Sequence, residues 1–261
     1  MLDAMAQMNG RPVTLDELQA LALTNYGHFT SFRIDNGRVR GLSLHLDRLV
    51  RDCQALFAVD LDPARVRALI AQAAPATGSV TIRVTVFDPA TDLGHPSTAT
   101  DPQVLVTQRP AGTLPLPPLT AQTVMHARDL PEVKSIGLFG SLRRRRAAQL
   151  AGFDDALFTE SSGLICEGVT WNVGFFDGQH VIWPEATYLP GITMKLLQTG
   201  FPHKIAPVSV TDLPSMELAF ATNAATGVRA ITMVNDVAYP SASAVVDELR
   251  ETYMRIDGET I

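Results

Sequence analysis

The hydrophobic pattern switches period several times along the chain. In TSFRIDNGRVRGLSLH two short runs flank Asn36-Gly37, a strong short-range hairpin signal. In HLDRLVRDCQALFAV, Leu46, Leu49, Val50, Cys53, Leu56 and Phe57 recur at helical spacing. A second helix is predicted over Pro63 to Ala73, with Asp62 as N-cap and Pro63 at the first helical position. SVTIRVTVF and PQVLVTQR, rich in β-branched residues, predict strands. The proline-crowded stretch RPAGTLPLPPLTAQT can continue neither element and is read as an interdomain link.

Beyond that link a helix is predicted over Gly140 to Ala151. Strands interrupted by turns at Ser162-Gly163 and Asp177-Gly178 follow. LPGITMKLLQTG reads as a turn entering a helix, SMELAFATNAATGVRAITMVNDVAYP as further strands, and SASAVVDELRETYMRI as an amphipathic helix. The expected architecture is α+β in two domains: a smaller one at 1–110, the link at 111–123 and a larger one at 124–261. Neither an internal repeat nor a low-complexity tract interrupts it.

Composition narrows the function. The 261 residues are 46% hydrophobic and 18% charged, which fits well-packed cores and excludes a disordered chain. A formal charge of -6 argues against a nucleic-acid binder. The single basic run, Arg143 to Arg146, reads as the solvated side of a helix. Two cysteines cannot make a disulfide framework, no apolar run approaches membrane-spanning length, and the N-terminal stretch lacks a signal-peptide pattern. A cytoplasmic protein without a membrane partner is expected.

VKSIGLFGSLRRRR holds one of only three lysines, against eighteen arginines. Its apolar neighbours Val133, Ile136, Leu138 and Phe139 leave two readings open. Lys134 is either a half-exposed lysine with its stem on an apolar surface, or a desolvated amine able to act as a nucleophile, which arginine cannot. Motifs for serine hydrolases, P-loops, dinucleotide folds and zinc proteases are missing, and the six histidines lack ligand spacing, so no metal is expected. What remains is Lys134, an acid in CEGVTWNV, and Gly191-Ile192-Thr193 at a helix start. Together these suit pyridoxal phosphate, which needs an amine, a carboxylate against its ring nitrogen and a phosphate cradle. Taken alone, the glycine and threonine read first as a turn followed by an N-cap threonine, ahead of a phosphate site.

Six landmarks in order, YGHFTSFRI, HLDRL, EVKSIGLF, AGFDDALFTESSGLICEGVTWNVGFF, LPGIT and ATNAATGVRAI, resemble the fold-type IV (class IV) pyridoxal-phosphate enzymes. That group includes branched-chain and D-amino-acid aminotransferases, (R)-amine transaminases and aminodeoxychorismate lyases. The resemblance implies a D-amino-acid-aminotransferase-like fold with the cofactor between two domains, and a homodimer. It implies that Lys134 forms the internal aldimine and moves the proton, placed by a strand before it, and that Glu167 holds the ring nitrogen. Arg48, Ile192, Thr193, Thr222, Asn223 and Ala224 would surround the phosphate. Tyr26, His28, Phe29, Ser31, Arg33, Arg83, Phe139 and Trp171 would fall around the substrate. Arg33 or Arg83 would take a substrate carboxylate, or be ordinary strand arginines in ion pairs; Trp171 would sit beside the ring or serve packing.

There are departures. Phe139 stands where many members carry a tyrosine, and YGHF is shorter than the family's corresponding loop, with His28 either a substrate or relay group or a polar strand start. The expected activity is transfer of an amino group from an amino acid or (R)-amine to a 2-oxo acid. The alternative is elimination of pyruvate from aminodeoxychorismate, since ATNAATG resembles the lyase members; a non-catalytic cofactor-binding relative is the minor alternative, disfavoured because Lys134, Glu167 and Arg48 are all present.

Overall fold

A computed structural model describes residues 6–261, which form two compact units. The first comprises residues up to Ala111 together with Val133–Gly137 and Gly258–Ile261. It contains strands β1 (Ala6–Met8) and β2 (Arg11–Pro12), helix α1 (Leu15–Thr24), β3 (His28–Asp35), β4 (Arg38–Val39), α2 (Leu42–Phe57), α3 (Pro63–Ala73), β5 (Ser79–Phe87) and β6 (Gln103–Pro110). The sheet runs in the order Glu259–Thr260, β4, β3, β5, β6, β1, β2, with every pairing antiparallel.

The sequence explains these elements locally. The β3–β4 hairpin turns at Asn36 and Gly37, both with positive φ, as the Asn-Gly pair requires. Helix α2 forms because Leu42, Leu46, Leu49, Cys53 and Phe57 share one buried stripe, and α3 begins where Asp62 accepts from the amide of Ala64 at 2.9 Å. Strand β3 pleats Phe32 and Ile34 into the core, at 1% and 0% exposure. Several elements escaped the reading of periodicity, the short strands β1 and β2 among them. Helix α1 starts from a capping box between Thr14 and Glu17, and the short strand Glu259–Thr260 adds to β4.

The second unit comprises Gly112–Glu132 and Leu138–Asp257. Its elements are β7 (Leu119–Met125), α4 (Phe139–Leu150), β8 (Asp155–Thr159), β9 (Ile165–Gly168), β10 (Asn172–Phe176), β11 (Val181–Pro184), α5 (Ile192–Gly200), β12 (His203–Ala206), β13 (Leu218–Asn223), β14 (Gly227–Val234), β15 (Val237–Ala238) and α6 (Ala244–Arg255). The sheet order is β12, β11, β10, β13, β14, β7, β8, β9, with β15 beside β14. One cluster, around Leu157, Val173, Phe175 and Ile231, is separate from a second around Trp183, Leu197, Phe220 and Leu249. Helices α5 and α6 supply Leu197 and Leu249 to the second cluster.

Three expectations are corrected. The proline-rich link ends earlier than residue 123, because Leu119–Met125 pairs in parallel with both β14 and β8. Lys134 groups with the first unit and not with 124–261, since its neighbours are tied by backbone hydrogen bonds to β3. Nor does a strand lead into it: β7 ends at Met125, and residues 126–138 are irregular apart from an isolated bridge between Ser135 and His28.

The arginine run is only partly a solvated face. Arg143 and Arg146 are exposed, whereas Arg145 makes a two-pronged contact to Asp155, at 2.9 and 2.8 Å, and reaches Thr170 at 2.8 Å. Arg144 bonds the carbonyls of Met125 and Gly140.

Candidate functional site

In the first unit the lysine segment is held by its backbone. The Lys134 amide donates to Asp52 Oδ2 at 2.9 Å, its carbonyl accepts from the Phe29 amide at 2.9 Å, and the Ile136 amide donates to the Gly27 carbonyl at 3.0 Å. Gly27, at φ +152, has the Val86 carbonyl so close that a Cβ would collide with it. The Lys134 ammonium lies 4.9 Å from the centroid of the Phe29 ring, and the Arg83 guanidinium stacks 3.6 Å from the same centroid. Both distances are within cation–π range. Arg83 is further oriented by a 3.1 Å bond from Nε to Thr85 Oγ1, and burial lowers its pKa.

The pleat of β3 divides the expected pocket residues. Phe29, Ser31 and Arg33 alternate onto one face, with Arg83 directly opposite Ser31 on β5. His28, Thr30 and Phe32 point the other way, toward α2. There Thr30 Oγ1 lies 2.6 Å from His45 Nδ1, and the Phe32 and His45 rings are 4.8 Å apart. His28 is therefore no lining group on the Phe29 face. It is fully buried near Phe57, its two ring nitrogens have no hydrogen-bond partner among the described residues, and burial, aided by the charge of Arg51, pushes its pKa down to about 3.

Other members of the set are committed to structure. Tyr26 donates to the Leu56 carbonyl at 2.8 Å, Ser31 to the Ile82 carbonyl at 2.9 Å, and Arg33 pairs with Asp35 at 2.7 Å. That leaves Arg33 as the strand arginine in an ion pair. Arg48 is buried on α2 at 5% exposure, beside His45. Burial holds His45 well below the ordinary imidazole pKa, and the charges of Arg48 and then Lys134 push in the same direction.

In the second unit Glu167 sits buried on β9, with Arg128 Nη1 at 3.2 Å from its Oε1. Arg128 is a partner that sequence reasoning missed; it lies in an irregular segment with no motif to mark it. Trp171 stacks over Gly168, where any side chain would strike the indole, and its Nε1–H donates to Asp155 Oδ2 at 2.8 Å. It belongs to the core cluster, which favours the packing reading of that residue.

Asn172 joins two of the segments expected around the phosphate. Its Nδ2 donates to the Leu189 carbonyl at 2.8 Å, its Oδ1 abuts Gly191, and its backbone pairs with Thr222 on β13. Gly191 caps α5 with no side-chain acceptor of its own, and Thr193 in the first turn is 1% exposed. The Thr193 hydroxyl has no hydrogen-bond partner among the described residues. A buried orphan hydroxyl at a helix N-terminus, where first-turn amides and the dipole favour an anion, fits a phosphate. Asn223 departs from expectation: its Oδ1 accepts from the amides of Ala225 and Thr226 and from the Thr226 hydroxyl, so its side chain holds its own turn. Ala224 lies in that turn, between β13 and β14. Phe139, the first residue of α4, is 78% exposed.

Among the described residues no group of three or more His, Cys, Asp or Glu could hold a metal ion, and no helix is long and apolar enough to cross a membrane.

The fold is thus α+β, with a lysine clamped in one unit and an anion-ready helix start beside a buried glutamate's sheet in the other. The sequence model for "Amino-transferase class IV" matches residues 27–234, and the chain belongs to that family. The fold is that of fold-type IV aminotransferases. A branched-chain aminotransferase from the thermophilic archaeon Thermoproteus uzoniensis, with norvaline, superposes at TM-score 0.83 and 18% identity, covering 96% of this chain and 93% of that one. A branched-chain amino acid aminotransferase from T.th., complexed with N-(5'-phosphopyridoxyl)-L-glutamate, gives 0.82 at 21% identity, over 96% and 92%. A hypothetical aminotransferase from Mycobacterium tuberculosis, in its PLP-bound form, gives 0.78 at 17%, over 96% and 97%. No curated protein sequence matches significantly.

Proposed function

We propose that the chain is a pyridoxal-phosphate-dependent aminotransferase, passing an amino group from an amino acid or (R)-amine to a 2-oxo acid, with Lys134 as its reactive amine. Membership of the class IV family supports the reaction type, and the phosphopyridoxyl-bound and PLP-bound relatives support the cofactor. The observation that carries the reading is Lys134 itself: a rare lysine, clamped through its backbone, with its amine over an aromatic ring.

When bound, the cofactor supplies a carbonyl that condenses with amines and a ring that accepts a carbanion's electrons. The family resemblance assigns the chain's own groups distinct roles toward it. Lys134 Nζ accepts the proton from the donor's α-carbon and returns it, which requires an amine in its neutral form. Glu167 accepts a hydrogen bond from the ring nitrogen and keeps a proton there. Arg48 contributes a fixed charge to the phosphate, and the first-turn amides of α5 at Ile192 and Thr193, with the Thr193 hydroxyl, contribute donors. Thr222 and the turn at Asn223 and Ala224 complete that cradle, the turn through its backbone. Arg83, stacked on Phe29 and braced by Thr85, is suited to take a substrate carboxylate with its terminal nitrogens. The family resemblance further suggests a homodimer.

Absorption spectroscopy tests the reading. Reconstituted protein should show a band near roughly 400 to 420 nm, the region of a cofactor–lysine Schiff base, and Lys134→Ala should lack it. Bleaching by one donor among D-alanine, L-leucine and (R)-1-phenylethylamine would establish amino transfer and identify the donor class. Release of pyruvate from aminodeoxychorismate, with no donor able to bleach the band, would favour the lyase reading. A wild-type protein that never acquires the band would defeat both.

A further inference from the structure

We propose that Asp52 is a positioning residue for Lys134, its carboxylate fixing the lysine's backbone from α2 so that Lys134 and Arg48 are registered on one helical turn. The inference rests on the reactive role proposed above for Lys134.

Asp52 is fully buried, with 0% exposure. A buried carboxylate is costly unless compensated, and here each oxygen has a partner. Oδ1 accepts from Arg51 Nε at 3.1 Å and Nη2 at 2.6 Å, and Oδ2 accepts from the Lys134 amide at 2.9 Å. The arginine neutralises the charge at the outer edge of the helix, leaving the second oxygen to hold the lysine segment.

That segment needs such a tie. Residues 126–138 form neither helix nor ladder strand, so regular hydrogen bonding does not restrain them. Phe29 and Gly27 bind the segment at the start of β3, which fixes its separation from the sheet. Asp52 adds a contact from a different element and so fixes its position along α2.

The spacing gives the contact its meaning. Arg48 and Asp52 are i and i+4 on α2, one above the other on the same face. The adjoining stripe of the helix is anchored by Leu49 and Cys53, both at 0% exposure. The distance from the arginine to the lysine's anchor is therefore set by a rigid helical turn. His45, one turn before Leu49 on the same helix, has its basicity lowered first by burial and further by the charges of Arg48 and Lys134.

The test first separates the two claims. Wild-type protein loaded with pyridoxal phosphate is reduced with borohydride, and the phosphopyridoxyl group is located by peptide mass spectrometry among Lys134, Lys195 and Lys204. Label absent from Lys134 would sink the functional reading without touching the Asp52 contact. With label on Lys134, Asp52→Ala is expected to lower its yield about tenfold, the loss of one charge-assisted hydrogen bond. Asp52→Asn keeps an oxygen acceptor and should stay within about threefold of wild type. Equal labelling in folded Asp52→Ala overturns the proposal.

Amide hydrogen exchange on the wild-type protein decides the contact even if Asp52→Ala does not fold. The Lys134 amide should be protected to the level of the β3 amides, and exchange at the rate of an exposed loop overturns the proposal.

Discussion

The side-chain amide of Asn172 donates to the carbonyl of Leu189 at 2.8 Å, while its oxygen presses against the Cα of Gly191 closely enough that no Cβ can be placed there. This one side chain sets where α5 begins. Gly191 has φ -67, an ordinary value, so it is crowding and not backbone conformation that demands glycine. Gly191→Ala should therefore push the first turn of α5 away from β10, at about 1–3 kcal/mol of stability. Cofactor affinity should fall by at least about tenfold. Thermal melts and a cofactor titration check both.

Thr193→Val should move two quantities in opposite directions. Removing a buried hydroxyl that lacks a partner should leave the cofactor-free protein as stable as before, or more so by up to about 1 kcal/mol. Losing a donor to the phosphate should weaken cofactor binding about tenfold. The comparison requires melting curves with and without cofactor, and a parallel fall in both would show that the hydroxyl serves packing alone.

His28 sets an acid limit on stability. Its folded pKa lies near 3 and its unfolded value near 6.5, so the unfolded chain binds the extra proton below about pH 6.5. Stability is fully present above that pH and declines as pH falls toward the folded value. Buried His45 acts in the same direction. Urea midpoints at pH 7.5 and 5 should differ for wild type, and His28→Leu should shrink the difference; an unchanged difference would place the acid sensitivity elsewhere.

Three of the four arginines of α4 should separate cleanly. Arg145→Ala strips Asp155 of its two-pronged partner and leaves that buried carboxylate with the Trp171 N–H and the Ala156 amide, at a cost of about 2 kcal/mol after allowing for partial exposure of the arginine. Arg143→Ala and Arg146→Ala, at exposed positions, should stay within about 0.5 kcal/mol. Chemical denaturation of the three variants measures this directly.

Much of the fold was legible because the determinants are local. The α3 boundaries follow from Asp62 and Pro63, and the β3–β4 turn from Asn36-Gly37. The short strand Glu259–Thr260 was not, because two residues carry no periodicity and their partner, β4, is more than two hundred positions away. The same limit applies to the site. Lys134 stood out by rarity and neighbours, but its anchor Asp52 is 82 residues away on a helix whose pattern gives that position no special mark. Arg128 and Glu167 meet across 39 residues from an irregular segment. For His28 and Phe29 the sequence supplied adjacency, and only the pleat showed that neighbours on a strand serve opposite faces.

The first unit is assembled from three separated stretches of chain, residues up to Ala111, Val133–Gly137 and Gly258–Ile261. Biosynthesis runs in one direction, so the unit begun first is completed last: its lysine segment follows the opening of the second unit, and its edge strand emerges after α6. A fragment ending at Ala111 would lack both. Loss of Gly258–Ile261 would strip an edge strand from a sheet whose other strands all precede β7, so the first sheet is complete only once the second has been synthesised.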